Sequence, residues 1–354
     1  MEWLWSILPM TIILFFFFRG DIKDWLIKRK AQRNLQKQMS GDYKASFWEK
    51  TYESAAKDLT SNQTHILNRL LSIDDSKCPM PPTLEEAKAI LDSTHAGMET
   101  TKLMILEYVA AQQTIDDFSQ VLCLVGPPGT GKTTLCRSIA HALGRDYEII
   151  PMSNLCSGWE LGGSTLGYED SGVGKILQAI LKKNSYNIVF IFDEIDKAAK
   201  ESHYSNPEAA LLQLFDDSKS EFVDAYLGIP VDLSRAVFIC TANDADQVNP
   251  ILLDRCNVVY IGGYSKDEKI GLLESHILPK LYEKFKTTKE SISFTSSAVE
   301  ELAAIGDSTP GVRGLQKAAE AAFLRANLML KLGRTQVRFD GKSIKSLIPK
   351  GEYK

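Results

Sequence analysis

No two of the six cysteines stand at CxxC spacing, and no cysteine–histidine pattern of a zinc site is present. A structural metal or a disulfide framework is therefore not expected. Cys123 and Cys240 lie inside apolar runs and read as small core residues, and a reducing compartment is the simplest setting. Excess positive charge is also lacking. The net charge of −4 argues against a surface built for nucleic acid. There is no internal repeat and no low-complexity tract, so the chain does not read as a stacked array or a long linker. What is present is ordinary globular material: 354 residues, 44% hydrophobic and 24% charged, enough for two or three compact units.

The first residues depart from that average. Trp3–Phe18, WLWSILPMTIILFFFF, carries no charge. As a helix it would span roughly 24 Å at about 1.5 Å per residue, just short of the usual membrane-crossing length. Arg19, Lys23, Lys28, Arg29, Lys30, Arg33 and Lys37 follow it. Basic residues directly after an apolar segment hold that side in the cytoplasm. A cleaved leader would be basic before the apolar run and would end in small residues, and neither feature is seen. The expectation is a single-pass anchor over residues 1–20 with the bulk of the chain on the cytoplasmic side. A buried helix and an interfacial anchor are the alternatives. Residues 21–82 read as a helical stalk or a solvated linker, ended by the helix-breaking CPMPPT at Cys78–Thr83.

From Thr83 the pattern changes. Thr83 and Glu86 form a capping box for a helix over Leu84–Leu91. A second helix is expected over Met98–Gln112. Short apolar runs then alternate with helical stretches: Val121–Val125, Lys132–Leu143, Tyr147–Ile150, Gly174–Lys183, Ile188–Phe192, Pro207–Phe215 and Ala236–Thr241. That alternation predicts an α/β fold with a parallel sheet and helices on both faces. After Tyr260 the spacing predicts helices alone, over Lys266–Phe285, Ser297–Ala304 and Val312–Leu332, with one short strand-like piece at Gln336–Phe339.

Three stretches carry chemistry. GPPGTGKT, Gly126–Thr133, satisfies G-x-x-x-x-G-K-[ST] between an apolar strand and a helix pattern. The glycines let backbone N–H groups curl around phosphate oxygens, and the helix N-terminus adds partial positive charge. Gly126, Pro127, Pro128, Gly129, Thr130, Gly131, Lys132, Thr133 and Thr134 are thus the candidate ATP-binding residues. Lys132 would reach the β- and γ-phosphates, and the Thr133 hydroxyl would ligate Mg²⁺. In IVFIFDEID, Ile188–Asp196, two carboxylates emerge where a buried strand ends. Asp193 would hold Mg²⁺, and Glu194 would polarise the attacking water. Binding alone would not require Glu194, so its presence favours hydrolysis. FICTAND, Phe238–Asp244, ends a third strand, where Asn243 could meet the γ-phosphate or the lytic water.

These motifs resemble an AAA+ ATPase, specifically the ATPase module of Lon-type proteases. The likeness extends through NPEAALLQLFDDSKSEFVDAYLGIPVDLSRAVFICTAN (Asn206–Asn243), ILLDRCNVVYIGGYSKDEKIGLLESHILPK (Ile251–Lys280), GVRGL (Gly311–Leu315) and LDSTHAGMETTKLMILEYVAAQ (Leu91–Gln112). It implies a P-loop AAA+ large domain over 83–261 and a small all-α lid over 262–350. It also implies that Arg255 is a finger reaching a neighbour's γ-phosphate and that Arg313 is a sensor on the lid. A structural ion pair is the alternative for Arg255, and a surface arginine for Arg313. A finger acting in trans implies head-to-tail contacts and a homo-oligomeric ring, six subunits being the family's usual number.

In GGSTLGYEDSGVGK, Gly162–Lys175, the resemblance puts Tyr168 at the family's pore-loop aromatic, which grips an extended polypeptide by packing. Glu169 stands where the family usually has an apolar residue, and His95-Ala96-Gly97 lacks a tyrosine that often stands near the adenine. The family would next add a peptidase with a Ser-Lys dyad, and the expectation here is a motor without one. The resulting expectation is a membrane-anchored ATP hydrolase that remodels, unfolds or disassembles protein substrates without its own protease. The other reading is an ATP-dependent assembly switch or scaffold serving a separate protease or effector.

Overall fold

The computed structural model describes residues 59–75, 78–95, 97–115, 118–165, 167, 171–198, 206–305 and 311–347. The apolar run Trp3–Phe18, most of the expected stalk, and Tyr168 with Glu169 lie outside these residues. Among the described residues no helix is long and apolar enough to cross a membrane. In chain order the strands are β1 (Val121–Val125), β2 (Asp146–Pro151), β3 (Ile188–Asp193), β4 (Phe222–Val223), β5 (Pro230–Val231), β6 (Val237–Ala242), β7 (Cys256–Tyr260), β8 (Ile292–Phe294) and β9 (Val337–Phe339). The chain divides into two compact units. One joins the described residues up to Pro79 to Asn154–Ile188 and Ala198–Val237. The other joins Met80–Ser153, Val189–Lys197 and the chain from Phe238 onward.

The second unit is organised by a five-stranded sheet in the order β2-β3-β6-β1-β7. β1 runs parallel to both its neighbours, with Cys123 level with Cys240 on β6 and Val121 level with Cys256 on β7. The inner strands β1, β3 and β6 are buried almost throughout, whereas β2 and β7 are partly exposed. Continuous apolar runs such as VLCLV and IVFIF are what a parallel strand covered on both faces requires. Phe238 stacks at 5.7 Å from Phe190 and 6.1 Å from Phe192. Cys123 and Cys240 are fully buried, as the apolar context of each predicts. The expected capping box is also formed: Thr83 Oγ1 accepts from the Glu86 N–H, and the Glu86 carboxylate accepts from the Thr83 N–H at 2.8 Å.

Beyond Tyr260 the strand-like piece expected at Gln336–Phe339 is present as β9, and the expectation of helices alone before it needs correction, because β8 also forms. β8 and β9 form a parallel pair, Ile292 level with Val337 and Phe294 with Phe339. β8, of three residues, is too short to show a period of two in sequence, and its partner lies far away in the chain. The helix expected over Lys266–Phe285 is also broken. It runs as α-helix over Lys266–Leu272, widens to a π-turn at Leu273–Ile277, and resumes as α-helix over Leu278–Phe285. Pro279 has no N–H for the preceding turn and crowds its carbonyl, which accounts for the widening. Phe323, on the helix Arg313–Lys331, is fully buried in the middle of this part. Tyr282, Phe285 and Phe294 surround it, with ring centroids 5.0–5.6 Å away.

The first unit contains the helix Ser61–Leu71, the helix Lys175–Lys183, the helix Pro207–Phe215 and the hairpin β4–β5. Ser61–Leu71 begins with a capping box between Thr60 and Gln63 and buries Leu67 and Leu70.

Candidate nucleotide site

β1 ends at Val125, and the loop Gly126–Gly131 turns directly into the helix Lys132–Ala142. Gly131 has φ +90°, a left-handed conformation that side chains other than glycine adopt at a cost. This points the first N–H groups of the helix toward the mouth of the loop. Thr130 is buried, and its hydroxyl donates to Pro127 O at 2.9 Å. Tyr264 donates to Thr130 O at 3.1 Å.

The side chains singled out in sequence meet here. Lys132 Nζ donates to Gly126 O (2.7 Å), Pro127 O (3.0 Å) and Asn243 Oδ1 (3.0 Å). Burial lowers its pKa, and Asp196, Asp193 and Glu194 oppose that shift. Thr133 Oγ1 donates to Asp193 Oδ1 at 2.8 Å. Glu194 has φ +58°, a conformation that non-glycine residues keep only when their surroundings impose it. Its N–H donates to Thr241 Oγ1 at 2.9 Å. Its carboxylate pairs with Lys197 Nζ at 2.8 Å and accepts a long contact from Asn243 Nδ2 at 3.4 Å. The Lys197 bond is the main reason that the Glu194 carboxyl titrates below its usual range.

Sequence reasoning passed over Thr241 and Lys197. Thr241 is fully buried and bridges both acidic residues, donating to Asp193 Oδ1 at 2.7 Å while it accepts from Glu194 N–H. The available signal was a polar residue in the apolar strand FICTA, two positions before Asn243. Lys197 stands three residues after Glu194, a spacing that becomes a contact only because the chain makes a helical turn at Ile195–Lys197.

Arg313 starts its helix beside the loop. Val312 N–H donates to Gly129 O at 3.0 Å, and a Cβ built on Gly129 would meet Arg313 Cγ at 3.2 Å. Arg255 is elsewhere. It is exposed at the end of the helix Pro250–Asp254, just before β7, one of the sheet's two edge strands.

His95 is a further element of the site. It is 6% exposed. Its Nε2 lies 3.1 Å from Thr134 Oγ1 and its Nδ1 lies 2.9 Å from Thr94 Oγ1. The Thr134 hydroxyl donates to Gly131 O at 2.7 Å. Burial pulls the imidazole pKa down to about 4, which keeps it neutral at pH 7. A cavity of about 480 Å³ opens beyond Gly97, lined by Glu268, Gly271, Leu272, Glu274 and Ser275.

The donor set suits a hard divalent cation. A hydroxyl (Thr133) and a carboxylate (Asp193) converge, and the buried Asp196 Oδ1 has no hydrogen-bond partner among the described residues. Among the described residues no group of three histidine, cysteine or acidic side chains could hold a metal by itself. Magnesium does not need one, because it is usually held by one or two protein ligands together with substrate phosphates.

Comparison with known proteins agrees with this geometry. Residues 122–264 match the family described as "ATPase family associated with various cellular activities (AAA)". The chain is 37% identical over 275 residues to a Lon protease of Halothermothrix orenii, covering 76% of this chain and 35% of that protein. It is 40% identical over 244 residues to a Lon protease of Aquifex aeolicus, covering 68% and 31%. A mitochondrial Lon protease homolog of Aspergillus niger is 36% identical over 247 residues, covering 69% and 22%. The chain thus spans about a third or less of the length of these relatives, and the shared part is their ATPase region.

Proposed function

We propose, from the premise that residues 122–264 are an ATP-hydrolysing domain of the AAA family, that this chain couples ATP hydrolysis to pulling on protein substrates. The observation that carries the reading is the bonded set Lys132–Asn243–Glu194 beside Thr133–Asp193. Lys132 would exchange loop carbonyls and Asn243 for the β- and γ-phosphate oxygens. Asn243, released from Lys132, would stay within reach of Glu194. Thr133 and Asp193 would hold Mg²⁺, which when bound neutralises charge on the phosphates. Glu194 would orient and polarise the water that attacks the γ-phosphorus, with ADP leaving and inorganic phosphate released. A carboxyl held below its usual pKa range stays ionised at pH 7, as that role requires.

Arg313 would touch the same nucleotide from within the subunit. Arg255, exposed beside the edge strand, would reach the site of a neighbouring copy, so that head-to-tail contacts build a ring. Tyr168 would grip the polypeptide, and Trp3–Phe18 would tether the assembly to a membrane with residues after 20 on the cytoplasmic side. The relatives' protease activity is theirs, and this reading concerns only the handling of protein substrates.

Glu194→Gln tests the chemistry. The variant should bind ATP, hydrolyse it at least a hundredfold more slowly, and retain substrate and ring partners long enough for mass spectrometry. Unchanged turnover would reject the role. Tyr168→Ala should lose substrate-stimulated turnover and keep basal turnover, whereas an assembly switch would lose neither.

A further inference from the structure

Asp224 is fully buried in the first unit, and among the described residues its carboxylate accepts from three backbone N–H groups. Two of them, from Tyr226 (3.0 Å) and Leu227 (3.1 Å) to Oδ1, close a local turn. Turn-making explains those two. It does not explain the third, from Gly174 N–H to Oδ2 at 2.8 Å, which crosses 50 residues of sequence.

Gly174 is one end of the segment that carries Tyr168, and Gly163 is the other. Both ends are pressed against the same point. A Cβ on Gly163 would lie 2.3 Å from Asp224 Oδ1, and one on Gly174 would lie 2.0 Å from Leu161 O and 2.5 Å from Gly163 N. The neck is closed further by Ala225 N–H to Gly162 O (2.7 Å), Ser164 N–H to Gly172 O (3.1 Å) and Gly172 N–H to Ser164 Oγ (3.0 Å). Any side chain at Gly163 or Gly174 would force the two strands of the neck and the carboxylate apart.

The turn that Asp224 closes is held in its own right by the N-terminal helix Ser61–Leu71. Gln63 Nε2 donates to Tyr226 O at 2.6 Å, and Asn62 Nδ2 donates to Tyr226 Oη at 2.7 Å. The far end of the same helix is tied to the helix that starts at Gly174: Arg69 donates to Leu181 O at 3.1 Å. One short helix thus brackets the latch and the element that leads out of it.

We propose that Asp224 is a positioning residue that fixes the neck of the Gly163–Gly174 loop, and that the helix Ser61–Leu71 holds Asp224 in place, linking the N-terminal segment of the chain to that loop. In this reading Asp224 acts only through the loop. The functional consequence rests on the reading of Tyr168 as the gripping residue, and the linkage itself does not.

The test is amide hydrogen exchange on the full-length chain in detergent, with ATP, read by mass spectrometry. Asp224→Asn keeps the size of the side chain and puts an amide N–H₂ where a backbone N–H needs an acceptor. Exchange in the peptide spanning 162–175 should rise about tenfold or more while the peptide spanning 126–133 stays as in the wild type. Tyr226→Phe removes only the hydroxyl that accepts from Asn62, keeps the ring in place, and should raise exchange at 162–175 several-fold. No change at 162–175 in either variant overturns the proposal, and so does a uniform rise across the first unit, which would mean a general structural role. The functional arm uses unfolded β-casein as the probe. Tyr226→Phe should raise the casein concentration that half-saturates ATPase stimulation while basal and maximal turnover stay unchanged, and a fall in maximal turnover alone would count against positioning. If Tyr168→Ala leaves casein stimulation intact, the gripping reading fails, and the exchange experiment still decides the latch.

Discussion

Lowering the pH from 7 to 5 should weaken the fold through His95 alone by about 2 kcal/mol. The imidazole is buried against Thr134 and Thr94, and desolvation brings its pKa down to about 4 from an ordinary value near 6.5. In the unfolded chain it takes up a proton as the pH falls through 6.5, and in the folded chain it does so only near 4. Between those values the unfolded state binds more protons, so stability rises with pH across the window and is lost on acidification. With the two pKa values, the contribution is about 0.2 kcal/mol at pH 7 and about 2 kcal/mol at pH 5, both unfavourable to folding. His95→Gln removes the titration and keeps an N–H that can reach Thr134. Urea unfolding of wild type and variant at several pH values isolates the term, because the other ionisable groups are common to both. The difference in unfolding free energy between the two should move by about 2 kcal/mol in the variant's favour from pH 7 to pH 5. A difference that stays flat with pH, or an NMR titration of His95 in the folded protein centred near 6.5, would refute the reasoning.

Thr241→Val keeps the shape of the strand and removes the hydroxyl that joins Asp193 to the Glu194 N–H. It leaves a polar group without its partner at a left-handed residue, and steady-state ATPase should fall roughly tenfold. An unchanged rate would mean that the bridge is dispensable. Arg255→Ala should lose most turnover, and mixing it with a Glu194→Gln subunit, which still carries Arg255, should restore part of it. No recovery at any mixing ratio would argue against a shared site. Phe323→Ala opens a cavity among Tyr282, Phe285 and Phe294 and should lower unfolding stability by about 3–5 kcal/mol. A loss below 1 kcal/mol in denaturant titration would mean that this core closes over the gap.

Much of the site was legible in sequence because its parts are local. GPPGTGKT has its strand, turn and helix within one short stretch, and IVFIFDE carries a buried strand and its terminal carboxylates in order. Thr83 and Glu86 announce a helix start because a capping box needs only residues three apart. Periodicity likewise gave the five-stranded sheet its inner strands, since full burial on both faces demands uninterrupted apolar runs.

What tertiary structure decided are the relations that no spacing encodes. That Thr241 joins Asp193 to Glu194, that Lys132 rests on Asn243, and that His95 lies against Thr134 all depend on which strands and helices become neighbours. β8, its pairing with the expected strand β9, and the π-turn before Pro279 were hidden for the same reason: a three-residue strand carries no period, and a helical pattern continues unchanged across a widened turn. Asp224 shows the limit most plainly. In sequence it is one acidic residue in SEFVDAYLG, and its meaning comes from an N–H donated by Gly174 and from a helix that begins at Ser61. Sequence sets the short-range conformations and the burial each segment demands, and the fold then chooses among distant partners by which buried polar groups it can satisfy at once.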